Sequence, residues 1–387
     1  MTPKTPLEYY AETGALPAPE PEYEPVLYWL WLAEMLGAAN LHTGRVLDEF
    51  GSARAVYAHR GEAALTAAAG RAAAARIASD PRTPADFAAR AAYCRAHGIR
   101  ILTFEDPDYP LALSRIPDPP AVLYLTGDAG LLNGRATVGM VGTRRPTQYG
   151  VAAAAHLGGA LARAGAVIVS GLADGLDGES HRAALAAGAP TIGVLGVPID
   201  RTYPAANAAL RRRIDAGGAV LSEYAPGEVC DYRCTFLQRN RMIAALSLVL
   251  LVVEARTKSG TMSTVAHAER YGRPIYAVPG SIFSPLSEGT NALLREGRAR
   301  AAVDGEDLLR ELGLAPVRAP QPEPPAEAQP LTDNARRVLA CVGAVPVGLD
   351  TLGEQTGLPM GALLSALTGL ELAGRITAQP GRHYVLK

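Results

Sequence analysis

The sequence predicts an α/β protein built on a doubly wound parallel sheet, and three observations carry this prediction. Short apolar segments typical of buried strands alternate with Ala-rich helical segments between residues 138 and 278. The segment 137–141 runs directly into Gly142-Thr143-Arg144-Arg145 before the next helix, and α/β proteins place phosphate groups at such junctions. The 387 residues, 48% of them hydrophobic, suffice for two or three domains with a sizeable core.

Residues 1–99 precede the predicted sheet and divide into two parts. Residues 1–24 are rich in Pro and Glu without periodicity, which predicts a flexible arm. Residues 25–99 carry apolar residues at helical spacing and resemble small helical domains of the SAM or helix-hairpin-helix type. Such domains contact the DNA backbone or serve as packing modules. We favour packing, because the turn at 37–40 has no G-x-G pattern and no Lys or Arg.

Residues 100–313 contain the predicted sheet. Six strands are expected, at Val138–Val141, Ala166–Ser170, Thr191–Leu195, Ala219–Ser222, Leu248–Val253 and Ile275–Val278. The segment 101–125 is rich in Pro near its centre and is expected to be an extended lead-in packed on the same sheet. The alternation of strands with helices implies a Rossmann-like sheet with helices on both faces.

Residues 314–387 contain a linker and a small C-terminal domain. Six prolines among residues 315–330 predict a Pro-rich linker over residues 314–330. Residues 331–387 predict three helices, the first capped by Thr332 or Asp333 and the second by Asp350, and then a hairpin. This order indicates a winged helix. Its third helix lacks Arg, Lys, Asn and Gln, so we expect protein contact or weak DNA backbone binding there instead of sequence reading.

Composition bounds the class of protein. The formal net charge of −1 excludes a uniformly basic DNA-binding protein but permits a local basic groove. Lysine occurs only at positions 4, 258 and 387, which makes Lys258 informative. No signal peptide or membrane-length apolar run is evident, which predicts a cytoplasmic protein. The cysteines at positions 94, 230, 234 and 341 fit no zinc or disulfide pattern, so we expect free thiols, no metal and no cofactor.

The candidate site lies where the predicted parallel strands end, because ligands of such sheets bind at the carboxyl ends of the strands. Glycines allow a close approach to phosphate, hydroxyl groups donate hydrogen bonds, and Arg binds phosphate in a bidentate manner. These residue types together predict a site for several successive phosphates. The site residues are Gly142, Thr143, Arg144, Arg145, Ser170, Gly171, Phe236, Arg239, Asn240, Arg241, Lys258, Ser259 and Gly260.

Several candidates also have a structural interpretation. Arg145 is consistent with a surface ion pair, and Phe236 with a core residue instead of a base-stacking ring. Asn240 is consistent with a residue that ties loops together, with one of the two flanking arginines turned inward. A hydrolase triad of Ser170, Asp177 and His181 is disfavoured because the serine lacks the G-x-S-x-G setting, and no P-loop pattern surrounds Lys258. We therefore expect no catalytic residue.

A series of short motifs in residues 100–313 resembles the signature of one known family. The motifs are Val141-Gly142-Thr143-Arg144, Ser170-Gly171-Leu172-Ala173, Gly175-x-Asp177, Tyr203-Pro204, Ser222-Glu223, Phe236-x2-Arg239-Asn240-Arg241, Glu254-Ala255-x2-Lys258-Ser259-Gly260, Ala277-Val278-Pro279-Gly280 and Gly289-Thr290-Asn291. In order and spacing they resemble DprA, the DNA-processing (Smf-type) proteins of natural transformation. The flanking helical and winged-helix segments match the three-part architecture of that family.

The resemblance implies a protein that binds single-stranded DNA, protects it after uptake and loads RecA onto it, as a homodimer formed through the Rossmann-like domain. Single-strand-binding protein is a further candidate partner, duplex DNA is expected to bind more weakly, and no membrane partner is expected. In the family a basic pocket holds the strand. Carried over, its arginine is Arg144, and a basic residue three positions before Phe236 is Arg233. Ala205 stands where some members have Lys, and Asp174 where many have a basic residue.

Two other functions stay open at this point. The chain is comparable with Rossmann-like nucleotide phosphoribohydrolases, although only Pro279-Gly280 of their P-G-G-x-G-T-x2-E loop is present. It is also consistent with an adaptor that contacts RecA without a working DNA pocket. Release of free base from nucleoside monophosphates would indicate the first function, and capture of RecA without DNA binding the second.

Overall fold

The computed structural model describes residues 22–315 and 331–387, which belong to two compact units, one on each side of the gap. The predicted arm (1–24) and the predicted linker (314–330) therefore lie almost wholly outside the described residues. Within the described ranges, no helix is both long enough and apolar enough to cross a membrane. All four cysteines are free.

The N-terminal part of the first unit is helical, as its apolar spacing predicts. Its helices are α1 (Pro25–Leu36), α2 (Thr43–Phe50), α3 (Ala53–Ala58), α4 (Ala63–Ala69), α5 (Arg71–Ser79) and α6 (Ala88–Ala96), with a 3-10 turn at Pro84–Phe87. Pro25 occupies the first turn of α1, and the Ser52 hydroxyl caps α3. The buried side chains of these helices, such as Trp29, form one apolar cluster with Val122 and Tyr124 of the sheet. The helical segment therefore packs directly on the sheet.

A nine-stranded sheet forms the centre of the first unit. Its strands are β1 (Arg100–Thr103), β2 (Val122–Gly127), β3 (Thr137–Val141), β4 (Val167–Ser170), β5 (Thr191–Leu195), β6 (Ala219–Ser222), β7 (Val249–Val252), β8 (Ile275–Ala277) and β9 (Arg300–Ala301). Their order is β1-β2-β6-β5-β4-β3-β7-β8-β9, and the strands from β6 to β9 are parallel. The six predicted strands are confirmed. The predicted lead-in contributes β1 and β2, which pair antiparallel at one edge.

Helices cover both faces of this sheet, since its strands contribute to the cluster with the N-terminal helices and to two further apolar clusters. The helices are α7 (Leu111–Ser114), α8 (Gln148–Arg163), α9 (Leu176–Ala186), α10 (Ala208–Gly217), α11 (Tyr232–Leu246), α12 (Thr261–Arg270), α13 (Glu288–Arg295) and α14 (Glu306–Glu311), with 3-10 turns at Ala129–Leu131 and Ala205–Asn207. The chain runs from β3 through β4 and β5 to β6, and α11 then returns it to β7 on the other side of β3. This reversal opens a crevice at the carboxyl ends of β3 and β7.

The second unit has the winged-helix order predicted for it. Its elements are α15 (Asp333–Cys341), β10 (Val347–Gly348), α16 (Leu349–Thr356), α17 (Met360–Leu372), β11 (Ile376–Gln379) and β12 (His383–Leu386). The Thr332 hydroxyl caps α15, as one of the two predicted caps. The predicted cap at Asp350 is wrong, because the short strand β10 pairs with β12 and leads directly into α16, whose N-cap is Gly348.

Candidate nucleic-acid interface

A pocket of about 410 Å³ lies at the carboxyl end of β3, beside the reversal of the strand order. The turn between β3 and α8, the middle of α11 and the start of α12 enclose it. Its lining includes eight of the predicted site residues. They are Gly142, Thr143, Arg144, Phe236, Arg239, Asn240, Ser259 and Gly260.

Backbone hydrogen bonds to neighbouring segments hold the turn after β3 in place. The Thr143 amide donates to the Glu254 carbonyl at 2.8 Å, and the Thr143 carbonyl accepts from the Leu176 amide at 3.1 Å. A Cβ at Gly142 would lie 2.3 Å from the Leu176 side chain, so only glycine fits there. Because the Thr143 amide and carbonyl are already paired, this turn offers its side chains to a ligand, and of its two arginines Arg144 lines the pocket whereas Arg145 does not.

Glu254, at the end of β7, anchors the entry to α8. Its carboxylate accepts hydrogen bonds from the Thr147 amide at 3.0 Å and from the Thr147 hydroxyl. A Cβ at Gly150 would lie 2.3 Å from the same carboxylate, so the helix backbone approaches it closely. Glu254 is buried, and its carboxylate is engaged in these hydrogen bonds. It therefore stabilises the wall of the pocket instead of repelling an anion.

Arg144 is the basic side chain of the pocket that is open to a ligand. It is exposed, and its Cζ lies over the Phe236 ring, 5.1 Å from the centroid. It forms no ion pair with a carboxylate of the described residues. A guanidinium that rests on an aromatic ring keeps its donors free for phosphate.

Arg239 lines the same pocket but points its guanidinium inward. It is 4% exposed and donates to the Gly171 carbonyl at 2.6 Å and to the Val194 carbonyl. Burial raises the pKa of the neighbouring Asp177, and the positive charge of Arg239 opposes that rise. A Cβ at Gly171 would lie 2.5 Å from both side chains. Arg239 thus fastens α11 to the ends of β4 and β5.

Asn240 joins α11 to the start of α12. Its amide donates to the Gly260 carbonyl at 3.2 Å and to the Ser263 hydroxyl at 2.8 Å, while its oxygen accepts from Arg239 Nε at 3.2 Å. These contacts favour the structural interpretation of Asn240. They also fix the first turn of α12, whose positive dipole end borders the pocket through Gly260 and Thr261.

The expectation that Arg241 contacts DNA conflicts with its position. The side chain is 1% exposed and pairs with Asp118 at 3.2 Å and with Glu223 at 2.8 Å. Glu223 also accepts from the Ala39 amide at 3.1 Å, which links this cluster to the N-terminal helices. Both Arg239 and Arg241 are turned inward, whereas the sequence suggested only one of them. The reason is that α11 is buried on all sides from residue 239 onward, so both side chains have partners in the interior.

Ser170 does not reach the rim either. It is fully buried, and its hydroxyl donates to the Met140 carbonyl at 2.6 Å. His181 Nδ1 lies 2.8 Å from the Thr191 hydroxyl, which itself donates to the Ile168 carbonyl. Burial, with the nearby Arg239 and Arg182 charges, lowers the pKa of His181 to about 3. The hydrolase triad considered above is therefore not assembled.

Three predicted cations surround the pocket without lining it. Arg145, Arg233 and Lys258 are exposed, and none pairs with a carboxylate in the described part of the chain. Arg233 lies in the first turn of α11, on the same helix face as Phe236. Arg256, exposed between Glu254 and Lys258, belongs to the same group although sequence reasoning did not select it. Its position shortly after the end of β7 is the sequence feature that could have identified it.

Two aromatic residues near the pocket were also missed. The ring centroids of Tyr203 and Tyr232 lie 5.5 and 5.7 Å from that of Phe236, and 5.3 Å from each other. Tyr203 is 45% exposed. The Tyr203-Pro204 motif marked this position, but nothing in the sequence placed it beside Phe236.

Two family models and several curated relatives match this chain. The family model for DNA recombination-mediator protein A matches residues 100–313, and the model for the DprA winged helix domain matches residues 321–382. Protein Smf of Synechocystis sp. is 34% identical over 324 residues, which cover 74% of this chain and 79% of the relative. The DNA processing protein DprA of Bacillus subtilis is 40% identical over 232 residues, 60% of this chain and 77% of the relative.

Two solved structures extend the comparison. DprA from Streptococcus pneumoniae superposes with a TM-score of 0.60 at 33% identity, covering 74% of this chain and 97% of that one. DprA from Helicobacter pylori, solved to describe its single-stranded DNA binding mode, gives a TM-score of 0.50 at 36% identity, covering 55% and 95%. The chain therefore belongs to the DNA recombination-mediator protein A family, the DprA or Smf proteins.

Proposed function

We propose that this chain binds single-stranded DNA without sequence preference, protects incoming DNA and loads RecA onto it, and that it catalyses no reaction. The observation that carries the proposal is the pocket after β3. It combines an open guanidinium on Arg144, a helix start at Thr261 and an aromatic ring at Phe236 within one crevice. Phosphates and bases of a flexible strand fit this combination better than a compact cofactor does.

Electrostatics support a strand of several nucleotides. Arg145, Arg233, Arg256 and Lys258 are exposed around Arg144 and have no carboxylate partner among the described residues. Each cation that replaces a counterion on a phosphate adds affinity irrespective of sequence, and that affinity decreases as salt increases. The near-zero net charge of the whole chain is compatible with this because the uncompensated cations are local.

The buried groups support a non-enzymatic function. The Ser170 hydroxyl and His181 Nδ1 are engaged in internal hydrogen bonds, and Asp177 is buried beside Arg239. A phosphoribohydrolase needs a carboxylate that reaches its substrate; Asp177, which lines the pocket, is 8% exposed beside Arg239, and Glu254 is 2% exposed and bonded to Thr147, whereas the exposed Asp174 lies in the smaller adjoining pocket. Incubation with nucleoside monophosphates should yield no free base. Steady release of base would revive the enzymatic alternative.

Relatives support the choice of ligand. The Helicobacter pylori protein, which superposes on 55% of this chain, is described by its single-stranded DNA binding mode. We extend to this chain the RecA partnership and the homodimer through the Rossmann-like domain that the family resemblance implies. Light scattering tests the dimer, and nucleation of RecA on strands coated with single-strand-binding protein tests loading. An adaptor without a DNA pocket would capture RecA yet leave the strand unbound.

The decisive experiment is a salt titration of binding to single strand and to duplex of equal length. The full chain should bind the single strand more tightly, and log K should fall linearly with log salt with a slope set by the number of phosphate contacts. Strands of unrelated sequence should give the same curve. Salt-independent binding, or equal affinity for duplex, would contradict the proposed mode.

A further inference from the structure

The aromatic residues beside the pocket differ in what covers them. Arg144 lies over the face of the Phe236 ring at 5.1 Å, within the range of a cation–π contact. A Cβ at Gly196 would lie 2.6 Å from Phe236 Cδ1, so the ring edge rests against the Gly196 backbone. Phe236 also packs against the apolar cluster of the first unit. Phe236 is therefore half-buried, with Arg144 over one face and Gly196 against one edge.

Tyr203 is the more open ring of the group. It is 45% exposed, whereas Tyr232 and Phe236 are half-buried and pack against that apolar cluster. Its ring lies 5.5 Å from Phe236 and 5.3 Å from Tyr232. Both ring pairs are tilted, so the two neighbours hold Tyr203 in place, and the exposed part of its side chain faces solvent. An exposed aromatic ring held by neighbouring rings offers a surface on which unpaired bases stack.

The place of Tyr203 relative to Arg144 fits consecutive parts of a nucleotide. A second, smaller pocket is lined by Arg144, Asp174, Tyr203 and Phe236, and it shares Arg144 and Phe236 with the larger one. A nucleotide whose phosphate contacts Arg144 therefore has Tyr203 within the adjoining pocket as a surface for its base. Asp174, exposed in the same small pocket, disfavours a second phosphate at that position.

We propose that Tyr203 is the base-stacking residue of the single-strand site, and that Phe236 acts as a pedestal that positions Arg144 and Tyr203. This inference rests on the proposed function and names its base subsite. It gives a physical reason for a preference for single strands, since only unpaired bases expose a face to the ring. Stacking on Tyr203 also contributes a part of the binding affinity that salt does not screen.

Two strands of equal charge test the assignment: a homothymidine oligonucleotide and an abasic oligonucleotide of the same length. The wild-type chain should bind the thymidine strand more tightly. Tyr203→Ala should reduce the ratio of the two affinities by roughly fivefold or more and leave binding to the abasic strand unchanged, because stacking energies per base reach that size. Tyr203→Phe should keep the wild-type ratio.

Phe236→Ala should instead weaken binding to both strands, because Arg144 loses its support. Tyr93→Ala is the matched control, since Tyr93 is 39% exposed on α6, beside the β1 edge of the sheet. Tyr203→Leu repeats the test if the alanine variant is unstable. An unchanged ratio in Tyr203→Ala, or equal losses on both strands, would overturn the inference. Failure of the wild-type chain to bind either strand would instead remove the proposed function.

Discussion

The rim of the pocket and the interior behind it use the same residue type for opposite purposes. Arg144 on the rim is exposed and has no carboxylate partner among the described residues. Arg241, two positions beyond the pocket-lining Arg239 on α11, is buried between Asp118 and Glu223. The comparison teaches that an arginine near a predicted DNA site is informative only when its partners are known. Exposed, unpaired guanidinium groups are available to phosphate, and paired ones hold the fold.

The largest effect should come from the interior. Arg241→Met removes one partner of a buried ion cluster and leaves Asp118 and Glu223 without their cation. We expect the free energy of unfolding to fall by about 3–5 kcal/mol, measured by urea denaturation. Arg163→Ala, an exposed arginine at the end of α8, is the control and should change it little. A loss below about 1 kcal/mol for Arg241→Met would show that the buried arginine stabilises the fold no more than an exposed one does.

The interior should also be sensitive to pH through His181. The pKa of this buried ring is about 3, below its ordinary value of 6.5, because burial and nearby arginines disfavour its charged form. The unfolded chain therefore binds the additional proton first as pH falls. The stability that this adds is complete above pH 6.5 and is lost between pH 6.5 and about 3, by up to several kcal/mol.

His181→Asn tests this prediction, because an amide can still donate to the Thr191 hydroxyl but does not titrate. Urea midpoints measured at a series of pH values should decline less steeply on acidification for the variant than for the wild-type chain. Parallel curves would show that His181 is not responsible for the acid sensitivity.

On the rim, Arg144→Ala should act on binding and leave stability unchanged. We expect the affinity for single strands to fall by about tenfold, equally for strands of unrelated sequence. The slope of log K against log salt should decrease by about one, since one phosphate contact is lost. Fluorescence anisotropy across a salt series measures both quantities. Arg163→Ala again serves as the control, because it removes an exposed arginine from the last turn of α8, at the opposite end of the strands from the pocket. Unchanged binding by Arg144→Ala would refute the role of the rim.

The smallest effect is expected for Arg233→Ala. Arg233 is exposed on the first turn of α11 but lies outside the pocket lining, so its contact with a phosphate is more solvated. We expect a loss of about threefold at moderate salt, which disappears at high salt. The double variant with Arg144→Ala should show approximately additive losses in free energy. A double variant that binds as tightly as the wild-type chain would contradict the assignment of both residues.

Much of the fold could be predicted because it depends on local patterns. Continuous apolar runs such as Val138–Val141 indicated buried parallel strands, and the order of helices and hairpin indicated the winged helix. The antiparallel edge was harder, since β2 pairs with β6, which lies nearly a hundred residues further along the chain. The error at Asp350 had a similar origin, because strand pairing across the domain determined where α16 begins.

By itself, the sequence determined the class of sheet, the turn at Gly142–Arg144 and the family. These follow from residue types at short, ordered spacing, and such spacing fixes local backbone geometry. Only the tertiary structure decided which side chains face the ligand. Arg239 and Arg241 are chemically equivalent to Arg144, yet carbonyl groups of β4 and β5 and the carboxylates of Asp118 and Glu223 hold them inside. The physical reason is that burial and pairing depend on residues far away in the chain, which no local pattern records.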